Sequence, residues 1–211
     1  MSPARKDTTA AVSTRDAIFD SAASLFATGG FDGVSVDDLA REAGVNKAMI
    51  YYHFADKLAL YRAVLAEGLS RMGATVSGIA TSADAPPKKL DRFIEAFVRM
   101  TETRPWMPAL MLREISEGAP RLDADTMSHM RVVIASFAAI LTQGQESGVF
   151  RRVHPILAYE SVIGPIIINA ARERVAAQPS RQHDNFPMLV AISHDEVINH
   201  SQESARRMLA P

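Results

Sequence analysis

Apolar residues recur at spacings of three and four along most of the chain, and no stretch alternates long enough to read as a strand. The pattern is that of an all-α protein. Ser13 or Thr14 offers a hydroxyl to cap a first helix, with Ile18, Ala22, Leu25 and Phe26 on one face and Gly29-Gly30 as its stop. Ser35 caps a short second helix whose first turn carries Asp37 and Asp38, where the helix dipole favours acids. Leu39, Ala40 and Ala43 form its inner side, and Gly44 ends it. A third short helix starts from Asn46 and runs to about Tyr52. Two short helices joined by a glycine-containing turn predict a helix-turn-helix, with Leu39, Ala40, Val45, Ile50 and Phe54 closing its small core. Asp56 then caps a long fourth helix, with Leu60, Tyr61, Val64 and Leu65 inward, continuing to roughly Ile79.

SADAPPKK, residues 82–89, reads as a linker. Beyond it, Leu90, Phe93, Ile94, Phe97, Met100 and Thr101 form a helical stripe, and Pro105 and Pro108 break the chain around Trp106. A short helix follows over Leu110 to Ile115. Met127, Met130, Ile134, Phe137 and Leu141 mark a long helix ending at Gly148. Pro155 opens another to about Ala176, in which Val162, Ile163, Ile166, Ile167, Ile168, Ala170 and Ala171 leave almost no polar side. A helix apolar all round must be covered all round, so one face is expected on the domain core and the other against a second subunit. QPSRQHDNFP reads as a loop, and Ile192 to Leu209 as a closing helix with Ile198, Ala205, Met208 and Leu209 on one side. The expected organisation is an N-terminal tail and three-helix head over 1–62, followed by a larger helical domain over 63–211.

Composition narrows the chemistry. With 47% hydrophobic and 22% charged residues in 211, a sizeable core is available. There are no cysteines, which excludes disulfides and thiolate chemistry and suits a reducing cytoplasm. The opening MSPARKDTTAAVSTR lacks the apolar run of a signal peptide, and PIIINAA is too short to span a bilayer. Net charge is −1, so a polyanion partner is not announced by bulk charge. A local excess does exist, with Arg41, Lys47, Lys57 and Arg62 against Glu42 and Asp56. Nucleic-acid binding would therefore use a small footprint.

GVNKAMIYYHFADK, residues 44–57, concentrates the polar and aromatic groups such a footprint needs. A major groove admits one helix, whose first turns reach base edges. Lys47 has the reach for guanine O6 or N7, Ala48 is small enough to sit on a thymine methyl, and Tyr52 can offer its ring to a base or its hydroxyl to a phosphate. Asn46 caps the helix at the groove. Lys57 with the amides opening the fourth helix, and Ser35 at the second, are placed to hold phosphates. Arg15, Arg5 and Lys6 are candidates for outlying contacts.

From about Arg15 to Tyr61 the chain resembles the tetracycline-repressor (TetR) family of bacterial transcription regulators. Ile18-Phe19, Ala22, Leu25-Phe26, Gly30-Phe31, Ser35-Val36, Leu39-Ala40, Ala43-Gly44-Val45, Ile50-Tyr51, His53-Phe54 and Lys57 carry the match. Met49 stands where the family often has Thr, and Leu58 where it often has Glu. The resemblance implies that Tyr51 and His53 contact the DNA backbone. It also implies a C-terminal ligand cavity, a two-helix dimer surface, and repression released by an effector. Beyond the head only the layout is shared, so no ligand pattern carries over.

One such module buries too little for selective binding, roughly 600–1,000 Å², so a homodimer on a palindromic double-stranded operator is expected. The helices near 155–176 and 192–209 are its expected interface. Phe93, Phe97, Met100, Trp106, Met107, Met111, Met130, Phe137 and Asn169 are candidate lining for an apolar effector cavity. Arg113, Glu114, His129, Asn169 and Arg172 are candidates to orient a polar end. The fourth helix, shared by head and cavity, is the expected transmitter. No cofactor, metal or membrane contact is expected. The histidines at 53, 129, 154, 183, 194 and 200 offer no i, i+4 pair, and no HExxH, G-x-S-x-G, P-loop or dinucleotide glycine motif is present. Catalysis is therefore not expected. The weakly charged head leaves one rival, a helical interaction protein of the same fold that has lost specific DNA binding.

Overall fold

The computed structural model describes residues 13–176 and 191–211. The tail with Arg5 and Lys6, and the loop expected over 178–187 with His183, lie outside the described residues. The described residues form nine helices and no strand, in two compact units that divide between Val64 and Leu65.

The first unit holds α1 (Thr14–Gly29), α2 (Val36–Glu42), α3 (Lys47–His53) and the start of α4 (Lys57–Thr81). Each helix begins at a side-chain cap. Ser13 accepts from the Asp16 amide, Asn46 from the Met49 amide at 3.0 Å, and Asp56 from the Ala59 amide at 2.7 Å. At α2 the cap is reciprocal: Ser35 Oγ accepts from the Asp38 amide, and the Asp38 carboxylate accepts from the Ser35 amide and hydroxyl. The turn into α3 closes through Gly44, whose φ of 66° is left-handed, and the Val45 amide reaches back to the Ala40 carbonyl at 2.9 Å. Ile18, Phe26, Leu39, Ile50, Phe54 and Tyr61 are buried together in this unit. The Tyr61 ring sits edge-on between Phe26 and Phe31, 5.0 and 5.2 Å from their centroids.

The second unit is built around α5 (Pro86–Thr103), which packs against α7 (Ala124–Glu146), α8 (Pro155–Ala176) and α9 (His194–Leu209); α6 (Trp106–Ser116) joins α5 and α8. Leu90, Phe93, Ile94, Phe97 and Val98 of α5 are all buried, as the stripe predicts. The linker is shorter than the sequence suggests. Pro86-Pro87 occupy the first turn of α5, where a missing amide proton costs nothing, so only 82–85 connects the helices. Lys89 is buried: its ammonium donates to the Ala80 carbonyl at 3.0 Å and to Gln143 Oε1 at 2.7 Å, closing the end of α4. Pro108 does not break the chain either, because it lies in the first turn of α6, which starts at Trp106. Glu114, a candidate polar contact in the sequence, is 0% exposed and takes an ion pair from Arg121 at 3.1 Å.

α8 has one apolar face on the core and leaves the other uncovered within the single chain. Val162, Ile163, Ile166 and Ala170 are buried, yet Leu157 and Ile168 are each 62% exposed, and Pro165 stands inside the helix on the same open side. α9 starts at His194 behind a Ser193–Glu196 capping box, later than the Ile192 expected. Val197, Ile198, Ala205 and Leu209 are buried, and Arg206 grips Asp91 of α5 through two bonds of 2.9 and 2.6 Å.

Replacing Lys89 by alanine strands the Gln143 amide oxygen in a buried place and leaves the Ala80 carbonyl only the long 3.4 Å bond from Gln143 Nε2. The expected loss is about 1–3 kcal/mol, read as a lower urea midpoint at unchanged slope.

Candidate nucleic-acid interface and apolar cavity

α3 has two unlike sides. Ile50 points into the core of the first unit and Phe54 follows it there, with the Arg15 guanidinium lying over the Phe54 ring at 5.2 Å. The other side leaves Asn46, Lys47, Ala48, Tyr51 and Tyr52 exposed, Tyr51 by 52% and Tyr52 by 80%. The Lys47 ammonium is 2.6 Å from Asp37 of α2, and that carboxylate raises the lysine's pKa above its ordinary value. Both side chains are more than half exposed, so the pair is weak and screened by salt.

Three residues expected at phosphates are otherwise engaged. Lys57 donates to the Phe31 and Val34 carbonyls, both at 3.0 Å, and its charge lies 4.2 Å from the Phe31 ring centroid. It fastens the loop ahead of α2. Ser35 commits its hydroxyl to the capping box, and the neighbouring Asp38 carboxylate occupies the helix terminus where the sequence suggests a phosphate. His53 is half-buried against the Tyr52 ring. Among the described residues its Nε2 is buried without a hydrogen-bond partner, so only Nδ1 remains for an outside contact.

The second unit holds an apolar cavity of about 410 Å³, partly open to solvent at Ile115 and Ile168, inside the ~300–1,000 Å³ range of small-molecule sites. Of the expected lining, Phe97, Met100, Met107, Met111 and Met130 are there. Phe93 and Phe137 are not: their rings meet at a tilt, 5.2 Å between centroids, within the core. Asn169 is bonded to Glu173 and Arg172 on its own helix, away from the cavity lining. Trp106 stands outside the lining, packed where α4 is thinnest. A Cβ at Gly68 would lie 3.2 Å from its ring and 2.8 Å from Met107 Sδ.

Sequence reading misses the wall that α8 supplies. Ile156, Tyr159, Ile163, Gly164 and Ile167 follow one another at short helical steps along it, with the exposed Ile168 at its edge. That spacing is visible in the sequence, but the run of isoleucines hides which face is which. Burial pushes the Tyr159 phenol up to about 12, so it stays a neutral donor. Among the described residues, Glu160 is the only ionisable lining residue besides Tyr159.

The comparisons agree with this architecture. Residues 18–64 match the family described as bacterial regulatory proteins, tetR family, and residues 86–178 match the tetracyclin repressor-like C-terminal domain. The HTH-type negative transcriptional regulator IcaR of Staphylococcus aureus (strain Newman), named for the biofilm operon icaADBC, is 43% identical over 47 residues, which are 22% of this chain and 25% of IcaR. The HTH-type transcriptional regulator RutR of Escherichia coli (strain K12) is 27% identical over 67% of this chain and 66% of its own length. Matching thus spans a quarter of one curated relative and about two thirds of the other. The crystal structure of the TetR family regulator PfmR from Thermus thermophilus superimposes with a TM-score of 0.72 at 27% identity, over 92% of this chain and 99% of that one.

The capping box makes a prediction about acid. Hydrogen bonds from the Ser35 hydroxyl and amide, with Arg41 beside them, hold the Asp38 pKa at about 2. A carboxyl held low in the folded state contributes stability above the usual carboxylate range, and that contribution fades as pH falls towards about 2. The Asp38 carboxyl carbon should titrate near 2 by NMR in the native chain and move towards the ordinary value in S35A. With matches to both its head and its C-terminal domain on a fold of this kind, the chain belongs to the TetR family of bacterial regulatory proteins.

Proposed function

We propose that the chain is a ligand-responsive transcriptional regulator that binds a palindromic operator as a homodimer. The observation that carries this is the outer face of α3, where a short helix following a tight turn presents Lys47, Ala48, Tyr51 and Tyr52 to solvent. Exposed tyrosines contribute nothing to a core and suit a groove. Lys47 exchanges its weak pairing with Asp37 for a base edge or phosphate, Tyr51 takes a phosphate, and Tyr52 lies on the bases or backbone. His53 contributes at most through Nδ1. Lys57 and Ser35 act from behind by holding α2 and its preceding loop, and we leave them out of the direct contacts.

The dimer uses the open side of α8. Leu157, Ser161, Pro165 and Ile168 lie at steps of four and three and expose apolar or small groups along one line. α9 adds polar groups such as Asn199, His200, Glu203 and Arg207. Two helices from each chain would make a four-helix interface. The cavity is the effector site, and α4 is the transmitter, since Lys57 to Val64 belong to one unit and the cavity-lining Gly68, Leu69 and Met72 to the other. An effector acts only through its different affinity for the operator-competent and incompetent states. Repression is the sense of control we favour, as IcaR is named a negative regulator.

Alanine at Lys47 and at Tyr51 should each weaken operator binding by about tenfold or more at fixed salt, with helicity and dimer mass unchanged. Equal loss on operator and random duplex would reduce these residues to non-specific contacts. Charged residues on the open face of α8, as in L157E/S161E, should turn a sedimenting dimer into a folded monomer. A native chain that sediments as a monomer at micromolar concentration would remove the dimer from this reading.

A further inference from the structure

Beside the apolar cavity lies a second cleft of about 220 Å³, to which Arg71 of α4, Arg99 of α5 and Arg104 at the end of α5 contribute. The two voids share three lining residues, Gly68, Met72 and Met100. Their common wall is therefore a glycine and two unbranched thioether side chains, the kind of packing that shifts aside most readily. No acid lines the second cleft among the described residues.

The acids that hold these arginines stand behind the lining. Glu67 takes Arg104 through two bonds of 3.2 and 3.0 Å and also pairs with Arg71 one turn along α4. Arg99 reaches Asp195 at 2.6 Å and Glu102 at 3.3 Å. Arg71 is 69% exposed and Arg99 44% in these pairs. Such solvated pairs cost little to exchange for an anion that engages a guanidinium in parallel bonds. Arg104, less exposed and doubly bonded, stays with Glu67 and keeps the cleft in shape.

The main cavity carries the opposite bias elsewhere. Glu160 lies on the α8 wall, which the second cleft does not share, and among the described residues its carboxylate makes no ion pair. An anion would be repelled there and drawn to the arginines.

We propose that the ligand of this site is an amphiphile with an anionic head, its apolar body in the methionine- and isoleucine-lined cavity and its carboxylate or phosphate on Arg71 and Arg99, reached past Met72 and Met100. The inference rests on the reading of the cavity as the effector site. Carboxylate and phosphate heads share the chemistry, and separate probes tell them apart.

The test compares dodecanol, dodecanoate, dodecyl phosphate and dodecyltrimethylammonium below their micelle concentrations, by calorimetry and by the fluorescence of Trp106, the single tryptophan of the chain. At least one of the two anionic probes should bind roughly tenfold more tightly than dodecanol, and the stronger of them identifies the head. In R71Q/R99Q that advantage should disappear while dodecanol binds as before, which also shows the variant is folded. Equal affinity for all four probes, or preference for the cation, would overturn the anionic head while leaving an apolar effector site in place. A variant that weakens dodecanol and the anions alike would mark the arginines as structural and overturn the proposal. Absence of binding by any probe would overturn the effector reading of the cavity together with this inference.

Discussion

A seven-residue helix does not persist in water by itself, since nucleation is unfavourable and so short a segment adds few bonds to repay it. α3 is such a helix, and the chain's proposed work on DNA depends on what holds it. Ile50 and Phe54 anchor one side in the core of the first unit, Asn46 caps its start, and the left-handed Gly44 sets its angle to α2. Because the inner side is committed, the outer side is presented in a fixed attitude. Lys47, Tyr51 and Tyr52 are then ordered without being covered. Lys57 belongs to this scaffold, since its bonds to the Phe31 and Val34 carbonyls tie the loop between α1 and α2 to the start of α4.

In the second unit the equivalent constraint is the enclosure of α5. Its buried phenylalanines and isoleucine supply the core, so α4, α6, α7 and α8 are free to line a void beside it. The void persists where side chains are missing or adaptable: Gly68 on α4, Gly164 on α8, and methionines on α4, α5, α6 and α7. α8 serves two surfaces at once. Its inner residues complete the core and cavity wall, its outer residues stay open in the single chain, and Ile168 stands at the edge of both. The all-round apolar sequence of this helix records both demands.

Fold class, helix order and the head's core were legible in the sequence, because caps, glycines and three-four spacing are local signals. Ser13, Ser35, Asn46 and Asp56 each cap the helix they announce. What stayed hidden was long-range. That Lys57 spends its charge on two carbonyls 23 and 26 residues away, or that Lys89 is buried against Gln143, has no local signature. Prolines were ambiguous for a different reason: Pro86 and Pro108 look like breaks, yet a first turn accepts them without losing a bond. The cavity was half legible. Methionines pointed to it, but Phe93 and Phe137 are chemically as suitable and differ only in facing each other across the core.

The most direct measurement is selection of bound sites from random duplex DNA by the intact chain at fixed salt. Two ordered α3 faces held by one dimer predict enrichment of a near-palindrome whose half-site centres lie about 34–36 Å apart, or a multiple of that distance. No enrichment over random sequence, or a site with a single half and no symmetric partner, would contradict a dimeric reader of the major groove.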